Sequence, residues 1–96
     1  MTHARNGETD DERIAQARRE TLLRPNDPDA HRRLAGMLYL AGRTDEAVEP
    51  LEKAVQLSGG GLEYLLALAD VYFDALRPAD AASLYEKLLP EVEGPR

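Results

Sequence analysis

Leu34-Ala35-Gly36-Met37-Leu38-Tyr39-Leu40-Ala41-Gly42, followed by Asp45-Glu46-Ala47 and Leu51-Glu52-Lys53-Ala54, is the stretch that decides the fold. Its apolar residues recur at helical spacing, Gly42 breaks the run, and a second helical stripe starts at Ala47. Shifted by 34 residues, the chain lays this skeleton on itself. Leu34 falls on Leu68, Ala35 on Ala69, Ala41 on Ala75, Ala47 on Ala81 and Val55 on Leu89. Leu38 on Tyr72, Leu51 on Tyr85 and Ala54 on Leu88 match in character alone. Small residues let helix backbones approach, and large ones fill the space beside them. A period of this length, with helical spacing inside each copy, specifies an α-helical repeat whose units cannot bury their apolar faces alone.

The pattern resembles the tetratricopeptide repeat, a helix–turn–helix unit of the same period, from about Pro28 to Val92. Three positions depart from that family. His31 stands where a large aromatic is favoured, Leu76 replaces the turn glycine that Gly42 supplies in the first copy, and Gly59 stands where a closing proline is usual. The resemblance implies an α-solenoid that binds proteins, with the first helix of each pair lining a concave surface and the second forming the outer layer.

Outward from the core stretch, the chain predicts an all-α fold of five antiparallel helices, or two and a half repeats. Residues 1–9 lack periodicity and read as a disordered tail, and residues 10–96 read as a single helical domain. A half-repeat helix over about 10–24 starts with Asp10-Asp11-Glu12, negative charge at the positive end of a helix. Its thin apolar stripe runs through Ile14, Ala17, Thr21 and Leu22 to Leu23, and Arg24-Pro25-Asn26-Asp27-Pro28 ends it. The first full repeat covers about 28–61, with Thr44 as the expected N-cap of its second helix and Pro50 inside that helix. The second covers about 62–95, with Pro78 opening its second helix.

Composition narrows the function classes. The 96 residues suit one small domain, and Leu and Ala together supply 29 of them, which suits close-packed helices. There is no cysteine, hence no disulfide framework and no thiolate metal site. The net charge is −6 and grows more negative along the chain, from zero over residues 1–24 to −2 over 25–58 and −4 over 59–96. An acidic chain without a basic stripe is a poor nucleic-acid binder, because phosphate neutralisation supplies most of that affinity. No apolar run reaches the length of a membrane span, and the first residues have no signal-peptide core, so the expected location is cytoplasmic. Catalysis finds no constellation: Ser58 and Ser83 have no histidine placed beside them, and Gly59-Gly60-Gly61 follows a helix and lacks a partner lysine. Neither a cofactor nor a metal is expected. His31 reads as a packing residue hydrogen-bonded to Asp27 or Asp29.

A non-catalytic protein–protein interaction module remains. Helical spacing on the fourth helix puts Glu63, Leu66, Asp70, Phe73 and Asp74 on one stripe, and the equivalent stripe of the second helix holds Asp29, Arg32, Gly36, Tyr39 and Leu40. Arg32, Tyr39, Leu40, Glu63, Leu66, Asp70, Phe73 and Asp74 are therefore the expected groove residues. They suit a helix or extended peptide with apolar anchors and Lys or Arg. Gly36 and Asp70 stand where capture of an acidic C-terminal tail would want an amide or a base, which disfavours that ligand. The alternative is a self-assembling adaptor, a homodimer formed because Ala82, Leu89 and Val92 on the fifth helix face a following repeat that this sequence does not contain.

Overall fold

The computed structural model describes residues 9–75, Arg77, residues 79–84 and Glu86. Four complete helices follow one another: α1 (Asp10–Leu23), α2 (Pro28–Leu40), α3 (Thr44–Leu57) and α4 (Leu62–Asp74). Residues 79–84 begin a fifth, α5. The architecture is all-α, without strands among the described residues, and each complete helix packs mainly on its neighbours in sequence.

The helix ends follow local chemistry. Thr9, read above as part of the tail, is the N-cap of α1. Its hydroxyl accepts from the Glu12 N–H at 3.2 Å, while the Thr9 N–H donates to Glu12 Oε1 at 2.8 Å. The reciprocal pair satisfies two backbone donors that a helix start otherwise leaves without partners. Asp27 caps α2 by accepting from the Asp29 N–H at 3.0 Å, and Pro28 supplies a first residue whose φ is already helical. Gly42, at φ 79°, takes the left-handed turn that ends the α2 segment, and Gly59 and Gly60, at 70° and 84°, do the same after α3.

Thr44 is not the cap of α3. The helix includes it, and the N-cap is Arg43, with no side-chain bond to the backbone. The reason lies in the preceding turn: the left-handed Gly42 directs the chain into helix at once, and the Arg43 guanidinium closes on Glu46 through two 2.8 Å bonds. That pairing holds the Glu46 carboxyl below its ordinary range. Arg18 also reaches Glu46 at 3.8 Å, and Arg43 reaches Asp11 at 3.6 Å, so exposed charges link α1 to the start of α3. Pro50 lies inside α3 as expected and deprives the Glu46 carbonyl of its usual helical donor.

The core runs as a band through all five elements. Ile14 and Ala17 of α1, Leu34, Ala35 and Leu38 of α2, Ala47, Val48 and Leu51 of α3, Leu68, Val71 and Tyr72 of α4 and Ala81 of α5 form one buried cluster. Ala30, Ala47, Ala54, Ala69 and Ala81 are fully buried, and each lets a neighbouring helix come close. The apolar stripe of α1 is shorter than its sequence indicates. Leu22 and Leu23 are 79% and 78% exposed, because α1 packs on α2 and only Ile14 and Ala17 of the stripe turn that way.

Candidate functional site

Two hydrogen bonds tie α2 to α4. The Tyr64 hydroxyl of α4 donates to Asp29 Oδ1 of α2 at 2.6 Å, and the Tyr39 hydroxyl of α2 donates to Asp74 of α4. Each joins residues 35 apart in sequence, one pair near the starts of the helices and one near their ends. A constant offset at both ends requires the two helices to run parallel, as the first helices of successive hairpins must. Both hydroxyls are held protonated by the carboxylates they serve. Tyr64 is pushed up to about 12, chiefly by its bond to Asp29, and Tyr39 is raised chiefly by its bond to Asp74.

Between the ties lies a cleft of about 280 Å³, lined on the α2 side by Arg32, Ala35, Gly36 and Tyr39. Leu51 of α3 and Ala67, Asp70 and Val71 of α4 complete it. Gly36 keeps it open: a Cβ at that position would meet nothing within 4 Å. At the Tyr64 end, Arg32 pairs with Asp29 at 3.5 Å and lies over the Tyr64 ring, 5.7 Å from its centre. Tyr39 closes the other end.

Of the groove residues expected from sequence, the cleft brings together Arg32, Tyr39 and Asp70, and Asp74 stands behind Tyr39 as its acceptor. Leu66 and Phe73 do not line it. They are 43% and 47% exposed, on the α4 stripe that also carries Asp70, and they occupy the places that Arg32 and Tyr39 occupy on α2. On α2 those places face α4; on α4 they face the position where a further helix of the same kind would stand. Glu63 is exposed on the same stripe, and Leu40, 75% exposed, lies at the end of α2. The sequence reading passed over Tyr64. Its signal was available: partners across parallel stacked helices are offset by 35, one more than the 34-residue repeat that relates equivalent positions.

Two further expectations meet the structure differently. The His31 ring bonds to the Pro25 carbonyl at 2.9 Å, not to Asp27 or Asp29. Asp27 is engaged by the Asp29 N–H, and Asp29 by Tyr64 and Arg32. Among the self-association residues, Ala82 is exposed on α5, and Leu89 and Val92 lie outside the described residues. Among the described residues, no group of three or more His, Cys, Asp or Glu is placed to hold a metal ion, and no helix is long and apolar enough to cross a membrane.

The family model described as "Tetratricopeptide repeat" matches residues 11–61, which span α1, α2 and α3. No curated protein matches the chain.

Proposed function

The chain belongs to the tetratricopeptide repeat family, and from that premise we propose that it is a non-catalytic adaptor of the cytoplasm that holds a peptide or helix of another protein along the α2–α4 face. One observation carries this reading. A cleft of about 280 Å³ lies beside two large apolar side chains, Leu66 and Phe73, that remain 43% and 47% exposed while Leu68, Ala69, Val71 and Tyr72 of the same helix are buried. Exposed apolar residues beside a concave, partly charged surface are what a binding groove needs and what a solvated helix face lacks. Leu40, Leu66 and Phe73 offer apolar contact, and Glu63, Asp70 and Asp74 offer negative charge to a basic segment.

The test is capture from cell lysate with mass spectrometry, comparing the wild type with a Leu66→Glu, Phe73→Ala double variant. Both side chains are about half exposed, so helix content and melting temperature of the double variant are measured alongside, and capture is compared between folded proteins. Partners retained by the wild type and lost by the variant support the groove. An unchanged set of partners overturns it.

A second reading, assembly with another copy, draws on the same two residues, because they face the place of a helix that a third repeat would supply. Sedimentation at micromolar concentration separates the readings: a homodimer dissociated by Phe73→Ala supports assembly, and a strict monomer removes it.

A further inference from the structure

We propose that the cleft between the two tyrosine–aspartate ties receives one lysine or arginine side chain of the bound segment. This rests on the groove reading and adds the identity of the anchor at its centre.

The walls select the chemistry. A basic side chain needs an apolar channel for its methylene stem and an anion at the tip. Ala35, Leu51, Ala67 and Val71 supply apolar wall, the open position at Gly36 supplies room, and Asp70 supplies the carboxylate. The volume of about 280 Å³ suits one long side chain and is too small for a helix. Arg32, the cation of the cleft, is drawn to one end by Asp29 at 3.5 Å and by the Tyr64 ring. At the other end Asp74 adds negative charge behind Tyr39. An incoming carboxylate would meet Asp70 with like charge. An apolar side chain would cover that carboxylate without answering its charge, a cost that a cation avoids. Leu66 and Phe73, one turn away on either side of Asp70 along the same helix face, would then contact apolar residues that flank the basic one.

The test is selection of random 12-residue displayed peptides on the full chain. Enriched peptides are then synthesised and titrated by fluorescence anisotropy. The inference expects each to share one Lys or Arg beside apolar residues. Acetylating that lysine, or replacing either residue by norleucine, should weaken binding at least tenfold. Asp70→Asn should do the same, and Gly36→Leu, whose side chain would occupy the cleft, should weaken it further in a variant whose helix content matches the wild type. Peptides that lack a shared basic residue, or that tolerate acetylation and Gly36→Leu within twofold while Leu66→Glu abolishes binding, overturn the basic-anchor inference and leave the groove standing. If no peptide is enriched, or binding ignores Leu66→Glu and Phe73→Ala, the groove reading falls and this inference with it.

Discussion

Arg32, Gly36 and Tyr39 on α2 and Leu66, Asp70 and Phe73 on α4 hold equivalent places one repeat apart, yet they meet different surroundings. All three residues of the α2 set line the cleft between α2 and α4, whereas of the α4 set Asp70 alone does, and Leu66 and Phe73 lie outside it. Tyr39, Leu66 and Phe73 are about equally exposed, at 44%, 43% and 47%, but Tyr39 is tied to Asp74 across the cleft, and Leu66 and Phe73 present apolar surface beside it. Apolar side chains on one helix face beside a concave surface are candidates for partner contact, so this difference directs attention to α4. The buried sides of the same helices differ less. Leu38 and Tyr72 are equivalent and both buried, but the Tyr72 hydroxyl also donates to Glu52 of α3 at 2.6 Å, and Arg77 covers its ring at 4.7 Å.

Substitutions at equivalent positions can break or sharpen this comparison. The largest effect belongs to Leu38→Ala. Leu38 is 1% exposed at the centre of the band, and truncation should cost about 2–5 kcal/mol, read by urea denaturation. A cost no larger than that of an exposed substitution would mean that the two helices do not share one core.

Tyr72→Phe comes next, at about 1 kcal/mol for the lost bond to Glu52. It carries a pH signature. Burial, then the Glu52 bond, pushes the Tyr72 hydroxyl up to about 12 from its ordinary 10.0. A group that holds its proton more tightly when folded contributes fully below pH 10 and loses that contribution as pH rises through about 12. Stability should therefore fall across that window in the wild type and fall less steeply in Tyr72→Phe. Equal slopes would remove Tyr72 from the account.

The smallest effect has the opposite sign. Gly36→Ala should stabilise by about 0.5–1 kcal/mol, because it relieves a glycine inside a helix and its Cβ enters open space. Its melting temperature should rise. Destabilisation would show that the floor of the cleft is closed.

The fold was legible because a 34-residue period and helical spacing constrain the same residues twice, as Leu34 and Leu68 illustrate. Part of the site was legible too: Arg32, Tyr39 and Asp70 meet in one cleft. Leu66 and Phe73 separate from them because equivalence in a repeat says which residues share an environment type, not which ones touch. Contact across stacked helices follows an offset of 35, and that stagger comes from how the hairpins lean on one another. The cap of α3 was misread for a related reason. Thr44 has the right chemistry, but the left-handed Gly42 and the Arg43–Glu46 pair start the helix one residue early.

The two tyrosine–aspartate ties run in opposite senses, the donor on α4 at one end and on α2 at the other. Sliding α4 along α2 by one residue carries both hydroxyls off their acceptors, so the pair acts as a gauge block that holds register and spacing together. An entering side chain meets a gap whose width is set before it arrives. The ordering of the two helices has then been completed by the fold and is not charged to the ligand.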